Sequence, residues 1–142
     1  MKRDYILSGK ICPYCFCPTK FVDSSVIYGK SYGMIYLCDH CMAYVGVHNG
    51  TDKALGRLAN HELREAKKEA HYWFDQISKT SLINKIYKKH FPNTTNRSKA
   101  YIWLSEQLNI PVELCHIGMF DVDDCKRVIE LCKPIIQEHE NT

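Results

Sequence analysis

Two pairs of closely spaced cysteines constrain this chain more than any other feature of its sequence. Cys12 and Cys15 form one C-x-x-C pair, and Cys38 and Cys41 form the second. A C-x-x-C pair folds into a tight turn, or knuckle, that offers two thiolates, and two knuckles supply the four sulfurs of a tetrahedral zinc site. Four thiolates leave no open position for water, so the pattern predicts one structural Zn²⁺ rather than a catalytic one.

Cysteine use also bears on the compartment. The chain of 142 residues has eight cysteines, enough for a disulfide framework. However, the N-terminal residues 1–4 lead into no apolar segment of the kind found in a signal peptide, and no stretch is long enough to span a membrane. We therefore expect a cytoplasmic protein without a membrane partner, whose thiolates bind metal instead of forming disulfides.

The N-terminal third has the composition of a small antiparallel sheet. Residues 20–28, 31–37 and 43–48 are rich in β-branched and aromatic side chains, and Gly29-Lys30 is a candidate hairpin turn. Each knuckle then falls at a strand connection, as a zinc ribbon requires. A ribbon of this size cannot fold on apolar burial alone, so metal binding would supply the missing folding free energy.

From Asn60 onwards the apolar period changes from two to 3.6 residues, which indicates helices. Asn60 is a candidate N-cap, residues 81–91 and 97–108 are two further predicted helices, and a last helix starts at Asp121. Pro134 is expected to end or kink that last helix. The apolar stripe of the first helix comprises Leu63, Ala66, Ala70, Phe74 and Ile77.

These patterns together predict an α+β protein. A four-cysteine zinc ribbon at residues 1–55 is expected to pack on a C-terminal helical part of three to four helices at residues 56–142. We expect the two parts to form one structural unit.

Charge is unevenly distributed along the chain. Residues 51–100 hold 11 Lys/Arg against 5 Asp/Glu, whereas residues 101–142 hold 3 against 8. Arg64, Lys67 and Lys68 lie on one face of the first helix, where they could contact the phosphates of a nucleic acid. Glutamates interleave with them, so an ordinary surface laced with ion pairs is the alternative.

Four tyrosines lie in the ribbon segment: Tyr28, Tyr32, Tyr36 and Tyr44. Exposed tyrosine rings can stack on nucleic-acid bases. At alternating strand positions they serve equally well as packing residues. The sequence leaves both roles open.

A second set of polar residues comprises His48, His71, Asp75, His116 and Asp121. Asp75 follows His71 by four positions, so these two share a helix face. An Asp beside a His can fix its tautomer for general-base work or metal binding. With a further histidine they would make a hydrolytic centre or a second metal site. The alternative is a surface pair plus histidines satisfied by backbone groups.

The remaining cysteines carry weaker signals. Cys17 lies just beyond the first knuckle, while Cys115, Cys125 and Cys132 are spread over a loop and a helix. The last three are best explained as buried small hydrophobic residues. A second zinc site that includes His116 is the alternative, but no tight knuckle supports it.

Beyond the two knuckles, several segments resemble a small zinc-finger-containing family found in phage and bacterial genomes. The segments that carry the resemblance are residues 22–25, 28–35, 43–48, 50–51, 55–60, 62–64, 97–101 and 116–121, with His71 and Phe74-Asp75. The family's name describes only the zinc finger. The resemblance implies that ribbon and helices belong together and implies little about activity.

The leading interpretation is therefore a zinc-stabilised binding module of the phage or bacterial cytosol, with nucleic acid as the favoured partner and a role in recognition or regulation. An enzyme is less favoured: it would be a hydrolase or nuclease that uses His71, Asp75 and one further histidine. A third interpretation is a protein-docking adaptor or an inhibitor of a host system.

Overall fold

A computed structural model of the protein describes residues 6–141. The first residues, on which the signal-peptide expectation rests, lie outside that range. The chain divides into Met1–Arg64 and Glu65–Thr142, here called the ribbon unit and the helical unit. In the part of the chain that the structure describes, no helix has the length and apolar character needed to cross a membrane.

The ribbon unit is built on an antiparallel sheet with strand order β1-β2-β3. Lys20 pairs with Leu37, and Cys38 pairs with Ala43. Four of the five residues of the central strand are buried, because neighbouring elements cover both of its faces. The strands are β1 (Lys20–Asp23), β2 (Met34–Cys38) and β3 (Ala43–Gly46).

The predicted first strand at residues 20–28 is wrong beyond its first half. β1 stops at Asp23, and a short helix, α1 (Ser25–Tyr28), follows it. The Asp23 carboxylate accepts hydrogen bonds from the backbone N–H of Ser25 (2.9 Å) and the hydroxyl of Ser31 (2.7 Å). Asp and Ser side chains can hydrogen-bond to nearby backbone groups, which gives the chain an alternative to β-strand pairing. Here these bonds override the β-propensity of the segment.

The predicted hairpin turn at residues 29–30 is replaced by a longer connection. Gly29 ends α1 in the left-handed conformation with φ 73°, which a glycine adopts without steric cost. The Tyr32 N–H donates to the buried hydroxyl of Ser24 (2.7 Å), which closes the connection against β1. The third strand was predicted at residues 43–48 and is found as β3, two residues shorter.

The C-terminal half is helical, as predicted. Among residues 6–141 it contains four α-helices, within the expected three to four, and the α+β prediction is confirmed. The helices are α2 (His61–Ser78), α3 (Leu82–Ile86), α4 (Asn96–Leu108) and α5 (Val122–Glu140), and the two 3₁₀ segments are Val112–Leu114 and Ile117–Met119.

Side-chain caps begin the two longest helices. The Asn60 Oδ1 accepts from the Leu63 N–H (3.0 Å), which confirms the predicted N-cap of α2. The Asp121 Oδ1 accepts from the Asp124 N–H (2.8 Å) at the start of α5. Both caps satisfy backbone N–H groups that have no partner within the first turn.

Two helix ends differ from the sequence expectation. The helix predicted at residues 81–91 stops at Ile86, because Tyr87 leaves the helical conformation and its hydroxyl donates to the Glu106 carboxylate (2.6 Å). Pro134 does not end α5, because the helix continues past it to Glu140. Buried Cys132 and Ile136 flank this proline on the core side, and their burial offsets the hydrogen bond that a proline cannot make.

Candidate functional site

Both cysteine knuckles have the same backbone feature. The residue after the second cysteine has a positive φ in each, 61° at Phe16 and 52° at Met42. Neither residue is glycine, so each turn costs on the order of 1 kcal/mol of backbone strain. In the first knuckle the Phe16 N–H donates to the Cys12 carbonyl (2.8 Å), and the Cys12 N–H donates to the Cys17 carbonyl (2.9 Å). These bonds fold the loop back so that both thiols point to one centre.

The four predicted sulfurs converge. The Sγ atoms of Cys12, Cys15, Cys38 and Cys41 all lie within 4.8 Å of one another, and the Cys15 and Cys38 sulfurs are 3.7 Å apart. A tetrahedron with Zn–S bonds of about 2.3 Å places its sulfurs about 3.8 Å apart. The observed spacing therefore fits a single zinc ion held by all four cysteines.

A cation is needed if all four sulfurs of the cluster are to act as thiolate ligands. The pKa of Cys15 is lowered to about 6, chiefly because the Cys17 backbone N–H donates to its sulfur. The pKa of Cys41 is raised to about 12, chiefly by burial and also by hydrogen bonding to the other cluster thiols. Burial likewise raises the pKa of Cys12. Four sulfurs this close cannot all ionise unless a metal ion balances their charge, and zinc supplies that charge while lowering the thiol pKa values.

The apolar core around the cluster is small. Its buried members are Cys12, Tyr36, Cys38, Ala43 and Leu58, two of which are zinc ligands, and partly buried Val45, Val47 and Ala54 pack against them. So few apolar residues cannot hold a sheet together by burial alone, and metal binding contributes folding free energy directly. Because all four coordination positions belong to the protein, zinc bound here acts as a structural staple.

The other cysteines do not extend the metal centre. Cys17 is exposed, whereas Cys115, Cys125 and Cys132 are fully buried in the helical unit, which confirms their predicted role as small hydrophobic residues. Burial raises the pKa of Cys115 to about 11 and that of Cys132 to about 12, so these thiols stay neutral. Within residues 6–141, the four-cysteine cluster is the one group of three or more metal-ligand side chains.

We expect protein purified without added metal to contain about one zinc per chain by elemental analysis, since one tetrahedral site takes one ion. Cys38→Ser should lose that zinc and unfold the ribbon unit, because a hydroxyl is a poor zinc ligand. Cys17→Ser is the matched control and should keep the metal, because Cys17 contacts the Cys15 sulfur but is not one of the four converging ligands. A folded ribbon without metal would contradict this prediction.

The members of the histidine–aspartate set in the helical unit have separate surroundings. Asp75 pairs with Lys79 (3.3 Å) on the same helix. The exposed His116 ring lies 5.0 Å from the Tyr101 ring, and Asp121 is the N-cap of α5. No three of these described groups bring ligand atoms within 4.8 Å of one another. His48, also part of the predicted set, is exposed in the ribbon unit.

The N-cap contact gives Asp121 a structural role that can be tested. Asp121→Ala should lower the free energy of unfolding by about 1 kcal/mol, because it leaves the Asp124 N–H without its acceptor. Asp121→Asn should change stability little, since asparagine caps as well as aspartate. Chemical denaturation measures both changes. Equal destabilisation by both substitutions would contradict a capping role.

His71 has an environment that disfavours its charged form. Burial lowers its pKa most, and the positive charges of Arg97, Lys67 and Lys79 lower it further, while Asp75 acts in the opposite direction. At neutral pH the imidazole is therefore a half-buried neutral group.

The His71 pKa predicts a pH dependence of stability. The folded-state pKa lies below the ordinary value of 6.5, so the stabilisation by neutral His71 is complete above about pH 6.5 and is lost as pH falls through the folded pKa. NMR titration should place the His71 pKa below that of an unstructured peptide, and Asp75→Asn should lower it further. A higher pKa in the Asp75 variant would show that the charge of Asp75 does not act on His71.

The three predicted phosphate-binding cations of α2 all make internal contacts. The Arg64 Nη1 donates to the Ala59 carbonyl (2.6 Å), and the Lys67 Nζ donates to the Gly118 carbonyl (2.9 Å). Lys68 is exposed and lies 3.7 Å from the nearest carboxylate oxygen of Glu65. Of the three, Lys68 is best placed to meet a ligand, because its ion pair is long and exposed.

Sequence reasoning missed a second group of cations and the convergence of the ribbon tyrosines. Residues 79–99 hold six Lys/Arg and no Asp/Glu. This local excess is visible in the sequence, but a charge count over residues 51–100 hides it. The tyrosines Tyr28, Tyr32 and Tyr44 meet in one cluster of ring contacts. That meeting depends on α1, which strand periodicity gives no means of finding.

Comparison with known proteins identifies one similarity. The model of a family described as a zinc-finger-containing domain matches residues 8–135. The match includes all four cysteines of the cluster and extends over most of the helical unit. No curated protein and no solved structure gives a significant match.

Proposed function

Because the chain belongs to the zinc-finger-containing domain family and its four-cysteine site is closed, we propose that zinc stabilises a module that binds nucleic acid. Such a module would act in recognition or regulation in the cytosol of a bacterium or a phage-infected cell. The chemistry of the zinc site supports a binding role over zinc catalysis, because a saturated ion cannot activate water.

The observation that carries the proposal is a basic segment in the helical unit. All but one of its six cations are exposed, and no carboxylate occurs between Asp75 and Glu106. Lys79 and Lys89 have carboxylate neighbours from outside the segment, Asp75 and Glu106. The remaining excess of positive charge attracts the phosphates of nucleic acids. The segment runs from the turn after α2 through α3 and the following loop to the start of α4, and its cations are Lys79, Lys85, Lys88, Lys89, Arg97 and Lys99.

Internal contacts distinguish two kinds of cation in this segment. The Lys99 Nζ donates to the Asn84 Oδ1 (2.9 Å) and so ties α4 to α3, and Lys89 lies 3.5 Å from the Glu106 carboxylate. Lys85 and Lys88 are exposed on and just after α3, and they present their charge to solvent. These two side chains, with exposed Arg97 at the start of α4, are the proposed phosphate contacts.

The cations of α2 have a lesser place in the proposal. Arg64 and Lys67 already donate to backbone carbonyls, so a phosphate would have to compete with those hydrogen bonds. Lys68 faces a weaker competitor, since its ion pair with Glu65 is solvent-exposed. We therefore assign Arg64, Lys67 and Lys68 a secondary contribution to nucleic-acid affinity.

We expect fluorescence polarisation with labelled oligonucleotides to show binding at low salt that weakens steeply as salt is added. Each phosphate contact contributes about −0.7 to −0.9 to the slope of log affinity against log salt. Lys88→Gln should therefore make the slope shallower by about that amount. Lys126→Gln, which removes an exposed lysine from the acidic C-terminal part, is the matched control and should leave the slope unchanged.

The rival functions give different results in the same assay. Absence of binding at low salt would refute the nucleic-acid proposal and favour a protein-docking adaptor or an inhibitor of a host system. Cleavage of the labelled oligonucleotide that disappears in His71→Ala would instead favour the hydrolase, with His71 and Asp75 as its acid–base pair.

A further inference from the structure

The ribbon unit contains a cleft of about 870 Å³ in which aromatic rings are gathered. Its walls include Phe21, Tyr28, Tyr32 and Tyr44, together with Leu55 and the glycines of the adjoining turns. Tyr32 is 71% exposed and Tyr28 is 51% exposed. Large aromatic side chains normally bury most of their surface, so this degree of exposure at a concave site points to a ligand.

The rings are arranged to receive a flat partner. Tyr28 meets Tyr32 at 5.5 Å and Tyr44 at 5.8 Å between ring centroids, and both pairs are perpendicular, at 89°. The Tyr28 hydroxyl donates to the Tyr44 hydroxyl (3.2 Å). Because perpendicular pairs do not cover each other as flat stacks do, Tyr32 can present a ring face to a planar ligand.

Hydrogen bonds hold the connection that carries Tyr28 and Tyr32. The Tyr32 N–H is bonded to the hydroxyl of Ser24, which is only 1% exposed, and the Asp23 carboxylate holds the hydroxyl of Ser31. The aromatic faces are therefore positioned before any ligand arrives. A preorganised site loses less conformational entropy on binding than a mobile loop would.

Two cations contact rings that line the cleft, and they favour an anionic ligand at those rings. The Arg64 guanidinium lies 4.4 Å from the Tyr44 ring centroid, and the Lys30 Nζ lies 5.8 Å from the Tyr32 centroid. The two cations reach these rings from outside the lining, in which Asp52 is the charged residue. With a cation already at each of two rings, a cationic ligand would meet like charge, whereas the phosphate of a nucleotide would meet opposite charge.

We propose that this cleft binds an unpaired base of a single-stranded nucleic acid, with the base stacked on Tyr32 and the adjacent phosphate near Lys30. The bases of a duplex are stacked on one another and cannot offer a free face, whereas unpaired bases stack on aromatic side chains. The inference rests on the proposed function, because it identifies which form of nucleic acid the protein recognises and where the base binds.

The test uses the zinc-loaded full chain with a labelled 12-nucleotide oligothymidine and a labelled duplex of the same length. Tyr32→Ala should weaken single-strand binding on the order of 5- to 150-fold, the range of one lost stacking interaction, and should leave duplex binding and the salt slope unchanged. Tyr32→Phe should retain single-strand binding, because it keeps the ring face.

Tyr72→Ala is the matched control, since Tyr72 is a similarly exposed tyrosine (62%) in the helical unit. It should leave single-strand affinity unchanged. Lys30→Gln provides a second variant that keeps every ring, and it should weaken single-strand binding through the lost phosphate contact. Zinc content, measured for each variant, reports that the ribbon is still folded.

The outcomes separate this inference from the function on which it rests. If Tyr32→Ala and Lys30→Gln bind oligothymidine as tightly as the unaltered chain, the cleft proposal is overturned, while salt-dependent binding would leave the proposed function standing. Equal losses of single-strand and duplex affinity in Tyr32→Ala would also overturn the recognition of an unpaired base. If neither probe binds at low salt, both proposals are refuted.

Discussion

The mutual repulsion of four converging thiolates, and its relief by one metal ion, is the constraint on which the ribbon depends. The sulfurs lie within 4.8 Å of one another, and the apolar core beside them is too small to hold the sheet together without the metal. Zinc neutralises that repulsion, and its bonds to the four sulfurs are the main interaction that holds the two knuckles and the sheet together. The strained residues Phe16 and Met42 persist in the left-handed conformation because this closure determines the shape of both turns.

The metal centre and the surface available to a ligand are separate parts of the ribbon unit. A saturated four-sulfur site has no position for a substrate, so the recognition proposed for this module depends on side chains that the staple holds in place. In the ribbon unit these are the tyrosines of the cleft, whose connection to β1 depends on the hydrogen bonds of Asp23 and Ser24. The residues that disrupt the expected strand are thus the same ones that shape the cleft.

Several polar residues that pointed to chemistry have structural roles in the helical unit. Asp121 caps α5, Asp75 pairs with Lys79, and Lys67 donates to the Gly118 carbonyl. Aspartate, lysine and histidine are as useful for closing helix ends and satisfying backbone groups as for catalysis, so their occurrence at a helical spacing does not separate the two uses. Exposure and charge isolation separate them better, which is why the basic segment at residues 79–99 carries more weight.

The sequence by itself determined the zinc site, the α+β class and the starts of α2 and α5. Each of these depends on local spacing or on capping residues such as Asn60, which act over a few positions of the chain. Tertiary structure decided where β1 and α3 end and which tyrosines meet. Some of those outcomes depend on contacts between residues far apart in the chain, such as Tyr87 with Glu106 and Tyr28 with Tyr44. Others depend on competition between side-chain and backbone hydrogen bonds, and local propensity does not predict its result.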